Sequence, residues 1–74
     1  MNGRIEINPK ILFGKPVIRG TRIPVEIVVR KLSEGISVVQ ILADYPRLTE
    51  DNVRAALGFA AESLGRDEIL PLSD

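Results

Sequence analysis

Apolar positions along this 74-residue chain change their spacing near Pro24. Ahead of it, Arg4-Ile5-Glu6-Ile7 alternates polar and apolar, as a half-buried strand does, and Asn8-Pro9 stops the pattern. Two short apolar runs follow, Ile11-Leu12-Phe13 and Val17-Ile18, separated by Gly14-Lys15-Pro16. Runs of that length around a Gly/Pro turn predict a small hairpin. Arg19-Gly20-Thr21-Arg22 then reads as a connector, with Gly20 supplying backbone freedom at a tight bend.

From Pro24 onward the period is helical. Pro24 suits the first helical position, where its missing N–H costs nothing. Val25, Val28, Val29 and Leu32 fall at i, i+3, i+4 and i+7, which leaves Glu26, Arg30, Lys31 and Ser33 toward solvent. With Gly35 as terminator, the first helix is expected over about 24–34. Ser37-Val38-Val39-Gln40 fits a capping box, with Ile36 placed to staple against Ile41, and the stripe Val38, Ile41, Leu42, Tyr45 ends at Pro46. Leu48-Thr49 repeats the device: Thr49 as cap, Glu50 and Asp51 in the positive first turn, and Leu48 stapled to Val53. The third helix is expected to carry Val53, Ala56, Leu57, Ala60 and Leu64 on one face and to end at Gly65.

This pattern predicts a mainly α fold. Three helices joined by short turns form a trihelical helix-turn-helix unit, winged-helix-like, with a short N-terminal β-hairpin as the wing. Residues 1–65 make the domain and 66–74 a C-terminal tail, in which Ile69, Leu70 and Leu72 lie beyond the last patterned helix. Such a tail either packs on its own helices or is held ready for another surface.

Composition narrows the chemistry. With no His and no Cys, the chain has no Ser-His or Cys-His nucleophile, no thiol redox centre and no zinc site of the usual nitrogen and sulfur type. Glu50 and Asp51 with Thr49, or Lys15 near Arg19 and Arg22, form no constellation beyond what caps and turns explain, so neither an enzyme nor a cofactor is expected. No apolar run approaches the roughly 20 residues that span a bilayer, and Met1 to Pro9 has no signal-peptide core; a cytoplasmic, soluble, non-membrane protein is expected. A domain this small without staples is marginal alone, which favours a second copy or a partner protein.

The net charge of zero conceals a split. Residues 1–31 hold seven basic groups against two acids, and residues 32–74 hold three against eight. Either one end is an anionic-ligand surface, or the halves neutralise each other within the fold or across a dimer. For DNA, the phosphate-contact candidates are Lys15, Arg19 and Arg22, with Arg30 and Lys31 behind them, and the base-reading candidates are Asn52 and Arg54. The acids Glu50 and Asp51 argue against ordinary major-groove docking of the third helix.

The run Phe13-Gly14-Lys15-Pro16-Val17-Ile18-Arg19-Gly20-Thr21-Arg22-Ile23-Pro24-Val25 resembles the domain-of-unknown-function family numbered 433, as do Leu32-Ser33-Glu34-Gly35, Ile41-Leu42-Ala43-Asp44-Tyr45-Pro46 and the Leu48–Leu57 segment. The resemblance covers about residues 5–64. It implies a helix-turn-helix-like fold and, for small members, the role of an antitoxin in a type II toxin–antitoxin pair, similar in kind to VapB antitoxins. The implied partners are a PIN-like ribonuclease toxin and the operator DNA of the shared operon, bound as a homodimer. On that resemblance, Glu68, Ile69, Leu70, Pro71 and Leu72 are the candidate toxin-binding segment. A protein-interaction module of the same fold without nucleic-acid binding is the alternative.

Overall fold

The computed structural model describes residues 3–66. Two short strands, β1 (Ile5–Glu6) and β2 (Val17–Ile18), pair antiparallel with Ile5 opposite Ile18 and Glu6 opposite Val17. Three helices follow: α1 (Val25–Ser33), α2 (Val38–Asp44) and α3 (Glu50–Arg66).

The expected hairpin within 11–18 is corrected here. Ile11-Leu12-Phe13 does not pair with Val17-Ile18; Leu12–Gly14 form a single 3-10 turn, and the partner of β2 is the earlier Ile5-Glu6 segment. The reason lies in the connection. Asn8 turns the chain by accepting the Lys10 N–H on its side chain (2.8 Å) and the Ile11 N–H on its carbonyl (2.8 Å). Leu12 and Phe13 then take left-handed backbone (φ 49° and 58°), which no strand accommodates. On its other side, the β2 segment meets Ile23–Val25: the Ile18 N–H donates to Ile23 O (3.0 Å) and the Val25 N–H to Pro16 O (2.9 Å). Arg19–Arg22 is thereby the tip of a tight reversal. The Thr21 N–H closes it on Ile18 O (3.0 Å), with Gly20 at φ 82° in the third position, the place where a type II turn requires glycine.

The helix ends follow the local chemistry. Pro24 is the residue before α1, not its first helical one, with ψ at 144°. After α1, the Gly35 N–H bonds Leu32 O and the Ile36 N–H bonds Lys31 O, the Schellman pairing, with Gly35 at φ 88°. Ser37 caps α2 by accepting the Gln40 N–H (3.1 Å), but the Gln40 side chain donates to Asp44 (2.9 Å) and does not complete the box. Ahead of α3 the box is complete: the Asn52 N–H donates to Thr49 Oγ1 (3.1 Å) and the Thr49 N–H to Asn52 Oδ1 (2.9 Å).

The core is Ile5, Ile18, Val25, Val28, Ile41, Leu48, Val53 and Ala56, with no buried polar or charged side chain among the described residues. Two expectations for α3 change. The helix continues through Gly65 to Arg66, and its apolar stripe is covered only in its first half: Val53 and Ala56 are buried, while Leu57 and Leu64 are exposed and Phe59 packs on the core instead. At 17 residues, α3 is about 25 Å long, against about 14 Å for α1 and about 10 Å for α2. Helices that short do not cover the whole of its inner face.

Candidate nucleic-acid interface

The Arg19–Arg22 reversal stands beside the turn between α2 and α3. Glu6, Ile11, Gly20, Thr21, Arg22 and Arg47 line one open cleft of about 410 Å³. The Thr21 hydroxyl anchors its floor, donating to Ile18 O (2.7 Å) and accepting the Ile23 N–H (3.0 Å). Arg47 reaches across to Gly20 O at 3.5 Å, a long bond that leaves most of its guanidinium donors open. The Arg22 side chain has no hydrogen-bond or ion-pair partner among the described residues. Arg19, the second residue of the same turn, donates from Nε to Gly3 O (2.8 Å).

Arg22 and Arg47 line the same open cleft, and each carries a guanidinium whose forked planar donors match the geometry of a phosphate-like anion. Glu6, at the edge of the same cleft, keeps it from being uniformly positive. Arg47 was not among the residues singled out in the sequence. Its position in the turn between the second and third predicted helices, next to the capping Leu48-Thr49, was the available signal.

The remaining candidates separate. Lys15 is not part of this cleft: its ammonium bonds Glu26 of α1 at 2.9 Å, and Arg30 bonds the other Glu26 oxygen at 3.3 Å. The Lys15 hydrogen bond first, then its charge, and more weakly Arg30, hold the Glu26 carboxyl below its ordinary value. The Asn52 side-chain oxygen accepts the Thr49 N–H within the cap of α3. Arg54 pairs with Asp51 at 3.4 Å, and Arg4 reaches the same carboxylate at 3.7 Å. Arg4 and Arg54 therefore offset the acid at the start of α3. Lys31 lies over the Tyr45 ring at 5.9 Å. Glu68, Ile69, Leu70, Pro71 and Leu72 lie outside the described residues.

A second cleft, of about 380 Å³, shares no residue with the first. Pro16, Val25, Val29, Phe59, Ala60 and Leu64 line it, between the start of α1 and the far half of α3, with Glu26 and Ser63 at its rim. Among the described residues no group of three or more His, Cys, Asp or Glu is placed to hold a metal ion, and no helix is long and apolar enough to cross a membrane.

As a class, this is a small three-helix domain opened by an antiparallel strand pair. Residues 5–60 match the family model described as "Protein of unknown function (DUF433)", and the chain belongs to that family. A solved relative, a DUF433 member from Anabaena variabilis, superposes with a TM-score of 0.79 at 33% identity, over 85% of this chain and 62% of that one. The "Uncharacterized protein y4eO" of Sinorhizobium fredii is 42% identical over 53 residues, which are 72% of this chain. The chain spans about a quarter (24%) of that relative's length.

Proposed function

We propose that this chain is an antitoxin of a type II toxin–antitoxin pair, which neutralises a PIN-like ribonuclease by direct binding and represses its own operon by binding operator DNA as a dimer. In this reading α2, the Tyr45–Thr49 turn and α3 form the helix-turn-helix, and the β1–β2 pair serves as a wing. The observation that carries the DNA half is the convergence of Arg22 and Arg47 on one open cleft beside that turn. A phosphate seated there positions the domain on the duplex, and Arg54 is the base-reading candidate that remains on α3. The antitoxin half is supported by the family resemblance.

A gel-shift titration against the promoter of its own operon, with and without the neighbouring toxin, tests the first half. Expected is a shift that weakens steeply with salt. Absence of any salt-sensitive shift in both conditions removes DNA binding from the proposal. Co-purification with the toxin tests the second half.

One observation favours a second reading, a protein-interaction module without nucleic-acid binding. The start of α3 presents Glu50 and Asp51, and Asn52 is tied into the cap, which leaves that end poor in donors for bases or phosphates. Under this reading, changing Lys15, Arg19 and Arg22 together to Ala leaves toxin neutralisation intact, whereas removing residues after Gly65 abolishes toxin binding.

A further inference from the structure

Among the described residues Glu6 is the one half-buried acid, and it has no hydrogen-bond or ion-pair partner there. The exposed acids differ. Glu26 bonds Lys15 and Arg30, Asp51 pairs with Arg4 and Arg54, and Asp44 accepts from the Gln40 amide, while Glu34, Glu50 and Glu62 stand in open solvent. Glu6 stays unpaired although Arg22 and Arg47 line the same cleft of about 410 Å³. Its place is set by the strand. Ile5 enters the core, so alternation along β1 turns Glu6 to the opposite face, and pairing with buried Val17 fixes its backbone. Arg22 and Arg47 project from turns instead.

We infer that Glu6 is the sequence-reading residue of this cleft, accepting the exocyclic amine of a cytosine in the major groove while Arg22 and Arg47 hold a neighbouring phosphate. A phosphate alone does not suit the cleft. At about 410 Å³ it falls within the roughly 300–1,000 Å³ of sites that hold a whole small molecule, and a carboxylate facing a bare phosphate repels it. That cost is common to every DNA sequence and is offset only where a hydrogen-bond donor meets the carboxylate, which makes Glu6 a device of specificity and not of affinity. Two bases offer an amine in the major groove. Adenine sets its N7 acceptor beside the amine, opposing the second carboxylate oxygen, whereas cytosine sets no acceptor of its own there. The long arginine stems adapt to a phosphate, and a carboxylate on a paired strand has the fixed position that base reading requires. The inference rests on the DNA reading of the proposed function and adds a base to it. Recognition then falls to the β1–β2 wing and not to the start of α3, where Glu50 and Asp51 stand and the Asn52 oxygen is in the cap.

Fluorescence anisotropy of the full chain reads both effects, on the promoter segment it protects with each base pair replaced in turn, and on a random-sequence duplex of equal length. For the parent, replacing one particular C·G pair is expected to weaken binding by about 5- to 100-fold. Glu6→Gln, nearly equal in volume, presents an amide that both donates and accepts, the pattern adenine complements, so preference at that pair is expected to move from cytosine to adenine. Glu6→Ala is expected to lose discrimination there and to bind the random duplex more tightly, because a negative charge leaves the cleft. Circular dichroism checks that each variant is folded, and Glu6→Gln decides the matter alone if Glu6→Ala is not. Unchanged discrimination at every pair in Glu6→Gln, or weaker binding of the random duplex by folded Glu6→Ala, overturns the inference and leaves the DNA reading in place. A parent that binds no duplex overturns both.

Discussion

The two clefts of this domain are nearly equal in size, about 410 and 380 Å³, and opposite in construction. The first is made by turns: the Arg19–Arg22 reversal, the Arg47 turn and the edge of β1. Its shape is held by backbone hydrogen bonds and by the Thr21 hydroxyl, and its charged side chains project from that frame without packing. The second is made by two helices and Pro16, and three of its wall residues, Val25, Val29 and Phe59, also pack in the core. The charged groups of the first cleft are therefore separable from stability, whereas the walls of the second are coupled to it.

The largest expected effect tests this separation. Arg22→Ala with Arg47→Ala is expected to weaken operator binding by roughly 10- to 100-fold at physiological salt. It should also reduce the steepness of the log–log salt dependence by about two, as the loss of two phosphate contacts requires. Unfolding free energy should stay within about 0.5 kcal/mol of the parent, because neither guanidinium is packed. Fluorescence anisotropy over a salt series and urea unfolding measure the two halves; a large stability loss would show that the cleft is not the independent site described.

Phe59→Ala probes the apolar groove in the reverse sense. Phe59 is half-buried against the core, so truncation is expected to cost about 1–2 kcal/mol, below the 3–5 kcal/mol of a fully buried ring. Thr49→Ala comes next, at about 1 kcal/mol, since it removes the side-chain half of the capping box at α3. Because that cap fixes the turn carrying Arg47, a modest loss of DNA affinity should accompany it, and a helix-only effect would separate the cap from the cleft.

The smallest effect concerns Glu26 at the groove rim. Its folded pKa is depressed, chiefly by the Lys15 hydrogen bond, so its contribution is present above the ordinary carboxylate value and is lost as pH falls through the folded value. The group is exposed, and salt screening keeps the effect small. Glu26→Gln should flatten that acid limb of the stability curve in urea melts recorded from neutral to acidic pH; an unchanged limb would show that the Lys15 bond does not persist in solution.

Legibility from sequence differed between these same regions. The caps at Ser37 and Thr49 and the Gly35 terminator were readable because each is a bond between residues one to five positions apart. The apolar stripe Val53, Ala56, Leu57, Ala60, Leu64 was readable as a stripe, but its uncovered second half was not. Whether Leu64 meets a neighbour depends on the lengths of α1 and α2, which periodicity in α3 does not encode. Among the site candidates, Arg22 lines the cleft, Lys15 pairs with Glu26, and the Asn52 side-chain oxygen accepts a bond in the cap. Arg47 joined from 25 positions away.

The amino-acid sequence by itself determined three helices with nearly correct ends, a tight reversal at Gly20, and a chemistry without imidazole or thiol, because all of these follow from local bonding or from composition. Only the tertiary structure decided which segment pairs with Val17-Ile18. Ile5-Glu6 and Ile11-Leu12-Phe13 are both short apolar strand candidates, and the choice was made by the left-handed backbone at Leu12 and Phe13 together with burial of Ile5 in the core. The same long-range packing brought Arg22 to Arg47 and left the α1–α3 groove open, since the position of one turn against another is set by the core between them and not by either turn's own residues.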